Sequence, residues 1–105
     1  MIELHSPEAL AEYFKVFSEP NRLMVLAVLK EGPLNVTAVV QATGLSQALV
    51  SKHLKLLTIA GVVQRKPKGS LVFYQVKEQG IFNFLLTAEN QLRVCREQQV
   101  NALQS

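Results

Sequence analysis

A chain of 105 residues, 49% hydrophobic and 18% charged, has the size and composition of one globular domain, which excludes a disordered chain and a second catalytic domain. No run of about 18 apolar residues occurs, so no membrane-spanning helix is expected, and a single cysteine cannot build a disulfide framework. The net charge of +3 is unevenly spread: residues 32–77 hold Lys52, Lys55, Arg65, Lys66, Lys68 and Lys77 and no acid, whereas the remainder holds five cations and eight glutamates.

A basic middle between negative flanks is the footprint of a protein that meets a polyanion, although an ordinary solvated basic face would look the same. The opening MIELHSPEAL lacks the basic-then-apolar layout of a secretion signal, and one cysteine suits a reducing compartment. A cytoplasmic protein is expected.

In chain order, Leu10, Tyr13, Phe14 and Phe17 form the apolar stripe of a first helix over 7–17, with Ser6 as N-cap and Pro7 at its first position. Ser18-Glu19-Pro20 opens a second helix that runs to about Lys30, with Leu23, Leu26, Ala27 and Leu29 facing inward. Glu31-Gly32-Pro33 ends it. A short third helix starts at Asn35 and stops at Thr43-Gly44. A fourth starts at Ser46, with the stripe Leu49, Val50, Leu54 and Leu57.

Residues 62–66 and 71–76 are rich in β-branched and aromatic residues, and Pro67-Lys68-Gly69-Ser70 between them is turn chemistry. A helix-turn-helix over about 36–60, followed directly by a basic hairpin over about 62–76, predicts a winged helix. The fold class is thus mainly α, of α+β type, in the order α-α-α-α-β-β-α and in one domain over residues 1–105.

The last helix spans about 79–103. Its residues Ile81, Leu85, Ala88, Leu92 and Cys95 recur at alternating spacings of four and three, a heptad-like seam. The helix is longer than one small core needs. A homodimer through the first and last helices is therefore expected, with Leu10, Phe14, Leu85, Leu92 and Cys95 in the interface. The alternative is a helix packed back on its own subunit.

On the fourth helix Gln47, Ala48, Ser51, Lys52 and Lys55 share the side opposite the stripe, just after the Ser46 cap. That placement suits a major groove: Gln47 matches adenine, Ala48 a thymine methyl, Lys52 guanine, and Ser51 either a base or a phosphate. Lys55 and the free amides at the Ser46 end suit phosphates. Arg65, Lys66 and Lys68 equip the hairpin to follow a backbone or a minor groove. His53 is open to a structural helix-to-helix hydrogen bond or a phosphate contact, and Arg22 to a phosphate or a salt bridge with Glu19. His53 has no acidic neighbour at helical spacing, and the five glycines are scattered singly. No catalytic residue and no cofactor is expected, so the chain reads as a non-enzyme.

Three runs, SEPNRLMVL at 18–26, LSQALVSKHLKLL at 45–57 and AGVVQRKPKGSLVFYQV at 60–76, resemble the core of the ArsR/SmtB bacterial repressors over roughly residues 8–88. The resemblance implies a homodimer joined by its first and last helices. It also implies double-stranded DNA as partner, bound as an imperfect inverted repeat and released by an inducer. By position Gln47, Ala48, Ser51 and Lys52 match the groove-facing residues of that family, and Lys66 and Lys68 its wing.

The departure concerns the inducer. Thr37–Thr43 offers no Cys, His, Asp or Glu, and the last helix offers Glu89, Glu97 and Cys95 but no His. Neither of the family's usual metal sites is expected, because stable zinc sites want about four N or S ligands. A makeshift intersubunit site from His5, Cys95 and a glutamate is the remaining metal reading. A small molecule between the terminal helices, near Phe14, Phe17, Phe82 and Phe84, or an oxidant acting on Cys95 are the other inducer readings. Cys95 also reads as a buried small hydrophobe. A winged-helix module that docks on protein is the second functional class.

Overall fold

Capping chemistry sets where the helices begin. The side-chain oxygens of Ser6, Asn35 and Ser46 accept hydrogen bonds from the backbone N–H groups of Ala9 (3.3 Å), Ala38 (2.9 Å) and Leu49 (3.2 Å). Glu19 does the same at the second helix, accepting from Arg22 N at 2.8 Å, with Pro20 at the first helical position. The structure, a computed structural model, describes residues 1–104. Its elements are α1 (Pro7–Val16), α2 (Pro20–Val28), α3 (Val36–Thr43), α4 (Gln47–Ile59), β1 (Val63–Lys68), β2 (Leu71–Val76) and α5 (Gly80–Gln104). The order is the expected one, and the architecture is a winged helix-turn-helix.

α2 ends two residues earlier than the sequence predicts. Leu29–Glu31 tightens into a 3-10 turn whose last carbonyls are met by closer bonds, Gly32 N to Leu29 O at 3.2 Å among them. Between α3 and α4 the chain reverses at Gly44, which sits at φ 74° and donates its N–H to Val40 O at 2.8 Å. A Cβ there would meet nothing within 4 Å, so Gly44→Ala isolates the backbone strain of the left-handed conformation. It is expected to lower stability by about 1–2 kcal/mol in a urea titration at fixed protein concentration. An unchanged midpoint would contradict the left-handed turn.

β1 and β2 pair antiparallel from Val63↔Val76 to Lys68↔Leu71, leaving Gly69-Ser70 as the whole turn. The turn is therefore two residues rather than the four expected, and Pro67 lies inside β1 opposite Val72. A proline is tolerated there because β1 is an edge strand, so the ladder asks for no donor on its open side. Leu34 adds a third short rung, exchanging backbone hydrogen bonds with Tyr74 at 3.0 and 2.8 Å.

The core joins Val25, Leu26 and Leu29 to Val39, to Val50, Leu54 and Leu57, to Val62, Val63 and Val76, and to Ile81 and Phe82. Two inward assignments are corrected. Ala27 is exposed and Val25 takes its place on α2; Leu49 is 37% exposed, and the inward row of α4 is Val50, His53, Leu54 and Leu57. That row has the i, i+3, i+4, i+7 spacing, and Leu49 lies about 100° round the helix from its start.

The terminal helices are less engaged. No residue of α1 is buried: Leu10 is half-buried and Phe14 is 48% exposed. On the seam of α5, Ile81 enters the core and Leu85 is half-buried, while Ala88, Leu92 and Cys95 are exposed. Cys95 is thus not the buried small hydrophobe that one reading made it within a single chain. The Phe84 ring lies 6.2, 6.1 and 5.5 Å from those of Tyr13, Phe14 and Phe17, pinning α1 to α5. Phe82 is not part of that cluster: it is buried in the core with Lys30 Nζ 5.6 Å above its ring, so the four phenylalanines do not line one pocket.

Candidate nucleic-acid interface

Because α4 buries Val50, His53, Leu54 and Leu57, its other side is left to solvent. Ser46, Gln47, Ala48, Ser51, Lys52 and Lys55 are all exposed on it, and no ion pair engages either lysine among the described residues. The stretch combines short and amide side chains near the helix start with cations farther along. That arrangement can meet base edges first and phosphates at the sides.

The hairpin stands beside this face, and its pleat sorts the wing cations. Arg65 is paired with Tyr74 and shares its face of the sheet, whereas Lys66, paired with Phe73, and Lys68, paired with Leu71, belong to the other face. All three are exposed. The structure therefore brings Arg65 toward α4 and carries Lys66 and Lys68 away from it at the tip.

Beneath the face, His53 and Glu19 fasten α4 to the start of α2. His53 is 3% exposed, and its Nε2 lies 3.3 Å from Glu19 Oε2. Nδ1 is buried and has no partner, so a proton there would have no acceptor. Of the two sequence readings of His53, burial and this approach to Glu19 agree with a structural contact between helices.

Burial pushes the His53 pKa below its usual 6.5; the Glu19 charge opposes this, and Arg22 and Lys52 add to it. At Glu19 partial desolvation pushes up, but the N–H groups of Arg22 and Asn21, then His53 and the Arg22 charge, hold the carboxyl below 4.5. Among the described residues Arg22 makes no salt bridge with Glu19. Its Nε donates to Val16 O at 2.6 Å and its outer nitrogen to Lys15 O at 3.2 Å, closing the end of α1. The signal for the Glu19 role was its place just before Pro20, at a helix start.

Both shifts act in one direction on stability. The unfolded chain protonates His53 near pH 6.5 while the folded chain resists, so stability present above that pH is lost as pH falls through it; Glu19 adds a further loss below about 4.5. The melting temperature is expected to hold at slightly alkaline pH and to fall between pH 7 and 5. His53→Gln should flatten that fall. A wild-type melting temperature that rises on acidification over this range would reverse the assigned sign.

No group of three or more His, Cys, Asp or Glu side chains among the described residues is arranged to hold a metal ion. No described helix is long and apolar enough to cross a membrane.

Comparison with known proteins places this geometry. Residues 19–65, which run from the Glu19 cap into the wing, match the model of the bacterial regulatory protein family arsR. The uncharacterized HTH-type transcriptional regulator MJ1325 of Methanocaldococcus jannaschii is 35% identical over 75 residues, 70% of this chain and 84% of that one. The HTH-type transcriptional repressor SmtB of Mycobacterium tuberculosis is 32% identical over 81 residues; the alignment covers 77% of this chain but only 60% of that longer one. The crystal structure of Rv0081 of M. tuberculosis superposes with a TM-score of 0.80 at 26% identity, over 93% of this chain and 99% of that one. The chain belongs to the arsR family, a family of winged-helix transcriptional regulators and not of enzymes.

Proposed function

We propose that the protein is a dimeric, sequence-specific repressor of the cytoplasm that binds an inverted-repeat operator. Ser46, Gln47, Ala48, Ser51 and Lys52 lie in the major groove, Lys55 meets the backbone, and Arg65, Lys66 and Lys68 carry the wing contacts. The observation that carries this reading is the free face of α4: exposed, unpaired, basic, flanked by a basic wing, and set in a window without one acid. A wing that docks on protein has no need of that charge.

The dimer is supported by apolar surface that one chain leaves uncovered. Phe14 on α1 and Leu86, Leu92 and Val100 on α5 are each about half exposed or more. Leu92 and Val100 lie along one exposed side of α5 with Glu89, Arg93, Arg96 and Glu97 beside them. Pairing of these helices would place two copies of α4 on successive turns of one DNA face, about 34 Å apart, and so demands an inverted repeat. Repression is lifted by an inducer other than a metal held at the family's usual positions. Cys95, exposed on α5, is the thiol an oxidant would meet.

The test is fluorescence anisotropy of the protein on its own upstream DNA across a salt series. Tight binding with log K falling linearly in log salt is expected. Absence of binding at low salt would move the weight to a protein-docking module.

A further inference from the structure

Between α4 and the wing lies a cleft of about 330 Å³ lined by Ser51, Lys55, Thr58, Ile59, Arg65 and Tyr74. Ser51, Lys55 and Thr58 form one row along α4, at i, i+4 and i+7. Arg65 and Tyr74 face each other directly across β1 and β2 and so project from one side of the hairpin. The Tyr74 backbone is held on its other edge by Leu34, which fixes where the ring emerges.

The polar groups of the cleft are uncommitted. No hydrogen bond or ion pair among the described residues engages the Ser51 or Tyr74 hydroxyl, the Lys55 ammonium or the Arg65 guanidinium. Only the Thr58 hydroxyl is used, donating to Leu54 O at 2.7 Å. The cleft therefore offers two cations and two free hydroxyl donors, with no carboxylate in its lining. Ile59, 72% exposed, adds an apolar rim. Donors and cations beside a small apolar surface match a sugar–phosphate unit: the phosphate takes the donors and the sugar lies on the isoleucine.

We propose that this cleft seats the DNA strand separating the major groove entered by α4 from the minor groove beside the wing. One of its phosphates is held jointly by Lys55, Arg65 and the Tyr74 hydroxyl. The proposal rests on the DNA-binding reading above and adds to it a residue, Tyr74, with no charge and no base to read. The topology requires such a seat. A helix in one groove and a hairpin at the next must straddle the backbone between them.

The experiment is a scan of operator duplexes, each carrying one neutral methylphosphonate, against the wild type, Tyr74→Phe and Lys55→Gln. Thermal melts check that both variants fold. Tyr74→Phe is expected to weaken binding about 3- to 10-fold with an unchanged salt slope, and Lys55→Gln to lower the slope by about 1 per half-site. At one phosphate per half-site, neutralisation should erase the difference between the wild type and each variant. Additive effects at every phosphate, with wild-type binding intact, would overturn the proposal and leave the DNA-binding reading standing. Failure of the wild type to bind any duplex would remove both. Inorganic phosphate should displace the duplex no better than chloride at equal ionic strength; displacement by low millimolar phosphate would make this a free-anion site and overturn it.

Discussion

Lys52→Glu is expected to abolish operator recognition and leave the fold intact. Lys52 stands at the middle of the free face of α4, exposed and without an acidic partner, one turn beyond Gln47 and Ala48. A good contact from such a position to a base edge is worth about 1–3 kcal/mol. A dimer makes it twice, so removal costs roughly 2–6 kcal/mol, at least about 30-fold in affinity, before the repulsion between a carboxylate and the nearby phosphates is added. Stability should move by no more than about 0.5 kcal/mol, because the side chain packs against nothing in the core. Anisotropy on the operator and a urea titration of the same preparation check both halves. Affinity within threefold of the wild type would remove Lys52 from the interface. A loss of binding accompanied by unfolding would leave the DNA face without support from this variant.

Leu54→Ala is expected to have the largest effect on stability, about 2–5 kcal/mol, from lost burial and the cavity left behind. Leu54 is wholly buried on α4, in the same cluster as Leu26 and Leu29 of the α2 end and Val63 of the wing. A small domain has only about 5–15 kcal/mol in hand, so the variant is expected to be partly unfolded near physiological temperature. Its DNA face is untouched, and saturating operator DNA should therefore restore part of the stability by mass action. The urea midpoint with and without operator measures both effects. A loss below about 1 kcal/mol would mean that α4 is not anchored through Leu54.

The pair of predictions rests on one property of α4, that its two sides do separate work. The polar side was legible because its composition repeats at helical spacing behind a serine cap, and helical spacing depends only on backbone geometry. The buried side was legible only in outline. Leu49 and Val50 are adjacent apolar residues, and periodicity cannot say which of them turns inward. Packing against α2 and α3 selects Val50, and the same rotation brings His53 under cover to meet Glu19.

What the sequence determined by itself was local. Ser6, Asn35 and Ser46 start helices because each offers an oxygen to the N–H three residues on; Gly44 turns the chain because a left-handed φ suits glycine. The basic window and its lack of acids are facts of the chain, and the family resemblance follows the same short runs. Tertiary structure decided every pairing between distant elements. Arg22 closes the end of α1 instead of bridging to Glu19, because the last carbonyls of that helix, Val16 O and Lys15 O, stand within its reach. Pro67 joins a strand because that edge needs no donor. Arg65 parts company with Lys66 and Lys68 because a pleat sends neighbours to opposite faces once the register is set. The cleft beside Tyr74 exists only because residues from a helix and two strands converge there, and such convergence leaves no mark in the order of the residues.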